Sequence, residues 1–349
     1  MNIRPQAPKF AKQATTKQAN SKGQQSPSTL DSLAPSLNGL SSQEDQLQAL
    51  GRQFRQGGDR FQSKQSQQAQ QSEELTSNFP NRNGYDSSFL GRELPLPRLD
   101  DSIKDKAATL IGKPNETELE YTNFSIVMNK ERRQAFYAAV NIDGAKIVSL
   151  PRNGKWTTDS RIPRDHQLGN EAYSRNPIDR GHMVRRRDPV WGPNAQQANS
   201  DTFSYTNAGL QHGSLNQKTW LDMENYILDQ AKAKGQKLTV LTGPVFSDDD
   251  PKFNNNGRMK EATQIPTEFW KVVVWNDDDE GLKGAAFLQS QKDYVGRGLY
   301  KTDFDPTGMS VYQIPLKDLE AKTKLHFGDL ADSTESIRRL NEGSQARVL

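Results

Sequence analysis

The hydrophobic pattern divides the chain near residue 84. Before that point no periodicity is sustained. The tract RQFRQGGDRFQSKQSQQAQQSEE is rich in Gln and Ser and buries too little apolar surface to offset the entropy of ordering it. Leu30, Leu33, Leu37 and Leu40 recur there at helical spacings, but Pro35 and Gly39 interrupt them. This tail reads as disordered, with a docking element as the alternative.

From residue 84 onward the pattern is that of a folded domain. LPLPRLDD is extended, because each proline biases its predecessor away from helix. ELEYTNFSIVMNKERRQAFYAAVNIDG predicts two strands around a polar turn, with Phe124, Ile126, Phe136 and Tyr137 in the core. AKIVSL predicts a short third strand. KTWLDMENYILDQAKAKG predicts a helix with Trp220, Leu221, Tyr226, Ile227 and Leu228 mainly on one side and Gly235 as its stop. KLTVLTGPVF, FWKVVVW and LKGAAFLQ each predict a buried strand, and PLKDLEAKTKL a late helix. Strands without regular βαβ alternation predict an α+β domain.

Composition sharpens this division. The chain has 349 residues, of which 33% are hydrophobic, and a mean hydropathy of −0.89; that is low for a chain packed throughout. Net charge is +3, too small by itself to declare a polyanionic partner. There are no cysteines, which excludes disulfides, thiolate metal sites and cysteine nucleophiles. No apolar run approaches the roughly 20 residues of a membrane helix. The first residues lack the apolar stretch of a cleaved secretory signal. The expectation is therefore synthesis in the cytoplasm, with export by a non-Sec route compatible with the tail.

The chemistry concentrates in NPIDRGHMVRRRDPVWG. The chain has only four histidines, and His182 stands among arginines. Cutting a phosphodiester calls for a base, positive charge near the phosphate oxygens, and something to offset charge on the departing oxygen. Imidazole titrates near neutrality, so His182 suits the base. On a strand, Arg180 shares its face, and Gly181 permits close approach. Arg185, Arg186 and Arg187 read as a cationic run along phosphates. Asn216 opens the predicted helix, where it is either an N-cap or an oxygen ligand to a hydrated Mg²⁺ that keeps several waters. Glu224, more than two turns further on, is either solvent-facing or the holder of such a water. His166, His212 and His326 lack the short paired spacings of zinc sites. SDDDPKFNNNG lacks the ligand order of a calcium loop, so an acidic surface loop is expected, and NDDDEG reads as a hairpin tip.

DRGH followed by FSYTN, NQKTW and Glu224 in step resembles the DNA/RNA non-specific endonucleases, the ββα-metal (His-Me finger) family with endonuclease G-like members. The similarity runs from about Leu119 to about Asp329 and includes VNIDG, TGPVF, IPTEFWKVV and AAFLQSQ. It implies a central, mainly antiparallel sheet flanked by helices over residues 84–335, between tails at 1–83 and 336–349. It implies a Mg²⁺-dependent endonuclease, with Mn²⁺ as substitute, that cuts DNA and RNA and leaves 5′-phosphates. On that resemblance His182 is the general base, Asn216 the direct metal ligand and Glu224 the residue holding metal-bound water. Arg180 and Asp179 belong to the motif, and Asn207 stands near the base. An upstream arginine touches phosphate, with Arg152 as the candidate and Arg161 as its rival. Two departures stand out: Leu210-Gln211 where many members read Pro-Gln, and Leu228 where some carry arginine. An inhibitor or immunity partner and a homodimer are further expectations. The rival reading is a catalytically inactive nucleic-acid-binding protein on the same scaffold.

Overall fold

In the computed structural model, residues 82–152, 154–216, 219–295 and 311–333 are described. The predicted C-terminal tail and residues 1–81 of the N-terminal one, and with them the leucine series of residues 30–40, lie outside these residues; Arg82 and Asn83, assigned to the tail, are bonded into the fold, Arg82 to Asp201 and Asn83 to the Asn123 amide. The described strands and helices follow in chain order as β1 (Arg98–Leu99), β2 (Glu118–Tyr121), β3 (Phe124–Asn129), β4 (Gln134–Asp143), α1 (Asn170–Tyr173), β5 (Ile178–His182), α2 (Ala195–Asp201), β6 (Ala208–His212), α3 (Gly213–Asn216) and α4 (Thr219–Lys234). They continue with β7 (Lys237–Val245), β8 (Lys252–Phe253), β9 (Thr263–Gln264), β10 (Glu268–Asp277), β11 (Gly281–Ser290), α5 (Lys292–Val295), β12 (Val311–Ile314), α6 (Leu316–Thr323), β13 (Leu325–His326) and α7 (Leu330–Ser333).

The frame is a seven-stranded antiparallel sheet in the order β12-β11-β10-β7-β4-β3-β2. Its central strands are buried on both faces, which is why they read as continuous apolar runs rather than as alternation. One face packs Ile126, Ala138, Val140 and Phe269 against Trp220, Met223, Ile227 and Leu228 of α4. The other packs Phe136, Ala139, Trp270 and Val272 against Leu316, Leu319 and Leu330 of α6 and α7. This is the expected α+β architecture. The β10–β11 hairpin turns at NDDDEG as predicted: Asp277 Oδ1 accepts the amides of Asp279 and Glu280, and Gly281 adopts φ +84°, open to glycine without steric cost.

Local departures have physical causes. The predicted pair of strands around KERR is three, because Thr122-Asn123 makes a further turn, with Asn123 at φ +68°. AKIVSL forms no strand; only Ile147 bridges, to Trp191. On α4, Leu221 points outward at 38% exposure while Glu224 points inward at 8%, the reverse of what hydrophobicity alone predicts. Gly235 ends that helix at φ +59°.

The element that positions the chemistry is a separate two-stranded antiparallel hairpin, β5–β6, followed directly by α3 and α4. It packs on the α4 side of the sheet through Met183 and Val184. A third apolar cluster, with Leu168, Tyr173, Ile178, Tyr205 and Leu210, lies against it.

Candidate active site

Register fixes which side chains share a face of the hairpin. His182 pairs with Ala208, Arg180 with Leu210 and Asp179 with Gln211. Strand alternation therefore puts Arg180 and His182 on one face, and Asp179, Gly181, Gly209 and Gln211 on the other. Gly181 is required by what lies over it: a Cβ there would stand 1.9 Å from Gln211 Oε1. Gly209 is similarly closed in, by the Met183 methyl at 2.7 Å.

The face bearing His182 is lined by aromatic rings. The imidazole lies 5.0 Å from the Trp156 ring and 5.8 Å from Phe203. The Arg180 guanidinium sits over Trp156, Tyr173 and Tyr205 at 5.5–5.8 Å and donates from Nη2 to Asn170 Oδ1 at 2.6 Å. Arg152 is exposed and lies 5.5 Å from the Phe203 ring. Burial, then the charges of Arg152 and Arg186, push the His182 pKa down to about 3. The ring is thus neutral at physiological pH, the form in which imidazole accepts a proton.

The other face leads to the helices. Asn216 ends α3 and donates from Nδ2 to Asp179 Oδ2 at 3.1 Å. It is thereby tied to the strand that carries His182, three residues or roughly 10 Å along. The Asn207 side chain gives its hydrogen bonds to backbone groups rather than to the imidazole. It is fully buried and clamps the chain just beyond it: Oδ1 accepts the Val184 amide at 2.8 Å, and Nδ2 donates to the carbonyls of Val184 and Thr202. A carboxamide can serve a backbone donor and two acceptors at once, and this one fixes where β5 ends.

Glu224 belongs to a buried charge cluster. Its carboxylate lies 3.4 Å from Lys271 Nζ and 3.8 Å from Arg185 Nε. Lys271 is 1% exposed, donates to Thr242 Oγ1 at 2.9 Å and lies 4.9 Å from the Trp220 ring. Arg185 donates to the Glu224 carbonyl at 2.8 Å and to Asn225 Oδ1. Burial raises the Glu224 pKa, against the lowering pull of Lys271 and Arg185. Burial likewise pushes Asp188 up to about 7. The expected run of three phosphate-tracking arginines is therefore corrected: Arg185 faces the interior, because Glu224 offers it a charge there.

The two upstream arginines separate just as clearly. Arg161 is buried and pairs with Asp159, Nη2 to Oδ2 at 2.7 Å, while Nη1 donates to the Glu120 carbonyl. Its guanidinium braces the fold, whereas that of Arg152 faces solvent beside His182. Three participants escaped sequence reasoning: Gln211, the aromatic box of Tyr173, Phe203 and Tyr205, and Lys271. Only Lys271 left a signal, as a lysine inside the apolar run FWKVVVW, where a buried cation demands a partner.

A hydrated divalent cation fits these residues. With Nδ2 given to Asp179, the Asn216 carboxamide keeps Oδ1, a hard oxygen donor, on its other side. Gln211, on the same hairpin face as Asp179, is 0% exposed, and neither of its amide atoms meets a hydrogen-bonding partner among the described residues. Orphaned groups of this kind carry a desolvation cost that metal-bound water would offset. Among the described residues no cluster of three or more His, Cys, Asp or Glu gathers around one point. The fit is to a cation with one carboxamide ligand and several waters.

The site is thus an antiparallel hairpin that presents His182 and Arg180 and is joined to helices through Asn216, which Asp179 holds. The chain belongs to the DNA/RNA non-specific endonuclease family, whose model matches residues 107–334. It is 39% identical over 289 residues to the uncharacterized protein y4fB of Sinorhizobium fredii, covering 78% of this chain and 42% of that protein. It is 24% identical over 170 residues to a salivary endonuclease of Lutzomyia longipalpis, covering 47% of this chain and 37% of that one. The chain thus spans about two fifths of the length of these relatives. Among solved structures it is similar to the EndoG/EndoGI complex, with TM-score 0.47 and 18% identity over 61% of this chain and 86% of that chain.

Proposed function

We propose that this protein is a Mg²⁺-dependent endonuclease that hydrolyses DNA and RNA without sequence preference. The observation that carries the reading is the imidazole of His182, on one hairpin face with Arg180 and close to the exposed guanidinium of Arg152. His182 takes a proton from water, the resulting hydroxide attacks phosphorus in line, the bond from phosphorus to the 3′ oxygen breaks, and that oxygen takes a proton from solvent while His182 returns its own to bulk water. The products are a 5′-phosphate and a 3′-hydroxyl. Arg152 and Arg180 hold the phosphate and offset its crowding charge. An anion seated against Arg152 also cancels part of what depresses His182, so the imidazole becomes a stronger base as substrate arrives.

Asn216 Oδ1 would be the direct ligand of the cation, and Glu224 and Gln211 would hold its waters. When bound, Mg²⁺ (or Mn²⁺) supplies positive charge opposite the leaving oxygen. Asp179 orients Asn216, and Asn207 fixes the end of the strand that carries the base. Such an activity threatens the cell that makes it, so we infer an inhibitor or immunity partner, or export by a non-Sec route. Among the described residues no helix is long and apolar enough to cross a membrane.

Single- and double-stranded DNA and RNA, incubated side by side with the protein in Mg²⁺ and in chelator, test the reading. Degradation in Mg²⁺ alone, with 5′-phosphate ends, is expected. Retarded but intact nucleic acid under both conditions would instead establish the rival, a binding protein on the same scaffold.

A further inference from the structure

Arg186 follows the buried Arg185 and turns the other way. Its Nη1 donates to the Leu150 carbonyl and to Asn199 Oδ1, both at 3.0 Å. Asn199 in turn donates from Nδ2 to the Pro151 carbonyl at 3.3 Å. These bonds staple Arg186 to the segment that delivers Arg152. Arg152 lies over Phe203, whose ring is 5.8 Å from that of His182. Two guanidinium groups are thus built in beside one imidazole, and Arg187, half-buried, follows directly. None of the three forms an ion pair with a described carboxylate, in contrast to Arg185. Like charges brought together without a counter-charge repel, and a guanidinium is the preferred group for phosphate oxygens.

We propose that Arg152 and Arg186 form a two-phosphate clamp, with Arg152 at the phosphodiester to be cut and Arg186 on the neighbouring phosphate of the same strand. The substrate of the site is then a polynucleotide rather than an isolated phosphodiester. This rests on the nuclease reading above and deepens it. The order of the two arginines follows from their contacts: Arg152 lies over Phe203, the ring beside His182, whereas Arg186 is held by the Leu150 carbonyl and Asn199.

Trinucleotides with one methylphosphonate linkage test the clamp. The neutral linkage resists cleavage, so the remaining phosphodiester is the scissile one and the neighbouring charge is absent. Against the all-phosphate trinucleotide, the wild-type protein should lose at least about 10-fold in kcat/KM when one of the two flanking positions is neutralised. In Arg186→Gln that loss should shrink to less than about 2-fold. No loss at either position in wild type, or a full loss retained in Arg186→Gln, overturns the proposal. Should Arg186→Gln fail to fold by circular dichroism, Arg186→Lys, which keeps charge without the planar fork, should lower kcat/KM more on the all-phosphate trinucleotide than on the methylphosphonate one; an equal fall on both, or none, overturns the proposal. If the wild type cleaves nothing, the nuclease reading falls separately. The clamp is then read from trinucleotide binding, where Arg186→Gln should make the slope of log K against log salt shallower by about 0.7, and an unchanged slope refutes it.

Discussion

Arg185 and Arg186 are neighbours in sequence and use their charge in opposite ways. Arg185 is 8% exposed and shares the interior with Glu224, Lys271 and Asp188. Arg186 joins Arg152 at the edge of the imidazole, where no described carboxylate pairs with either. The first group is internally compensated, two cations against Glu224 and a carboxyl pushed toward neutrality. The second is uncompensated. Compensated charge under a helix holds a structure together, whereas uncompensated charge beside a base is disposed for an anionic substrate. Mutations in the two groups should therefore separate, Lys271 and Arg185 reading out mainly in stability and Arg152 in catalysis, with Glu224, the proposed holder of metal-bound water, reading out in both.

The largest stability effect is expected inside the first group. Glu224→Leu leaves Lys271 and Arg185 facing each other without their carboxylate, and breaking a buried pair from one side costs about 3–5 kcal/mol. Combining it with Lys271→Met should restore part of that loss in a denaturant-unfolding double-mutant cycle. Additive losses would show that the two side chains are not coupled.

The second group should behave differently. Arg152→Ala should lower kcat/KM by roughly 10- to 100-fold, the worth of a charged hydrogen bond of about 1.5–3 kcal/mol, and leave stability within about 0.5 kcal/mol. Arg161→Ala should do the reverse and destabilise the fold, because Asp159 would lose its buried partner. Measuring both variants by unfolding and by steady-state kinetics breaks the comparison if their profiles coincide.

A smaller effect concerns pH. The His182 pKa lies below its ordinary value of 6.5 in the folded state, so the unfolded chain binds the proton more readily. Stability is fully present above about 6.5 and is lost as pH falls toward about 3, at no more than about 1.4 kcal/mol per pH unit. Asp188 contributes with the opposite sign. Its folded pKa, pushed up to about 7, makes the fold pay for ionisation as pH rises from about 4 to 7. The His182→Ala variant should therefore lose less stability than wild type between pH 6 and 4 in urea titrations. Parallel curves would contradict a neutral buried ring.

Much of this was legible in the chain. Alternation placed Arg180 and His182 on one strand face, and the apolar runs marked the central strands of the sheet. The helix over 219–234 and its glycine stop followed from spacing. What escaped were the orientations that long-range partners decide. Glu224 and Leu221 exchange their expected sides because Lys271, on a distant strand, supplies a charge for Glu224 and nothing comparable draws Leu221 inward. Arg185 follows Glu224 inward for the same reason. Gln211 reads as an ordinary polar strand residue until the absence of a side chain at Gly181 gives it room. AKIVSL has strand composition, yet its one bridge, from Ile147, goes to Trp191, which belongs to no strand.

The proposed cut depends most directly on the base. Plasmid digestion in Mg²⁺ by wild type and by His182→Ala, each shown to be folded, should differ by roughly 10²- to 10⁴-fold in rate. Equal rates would contradict it, since the cut would then need no proton acceptor at residue 182.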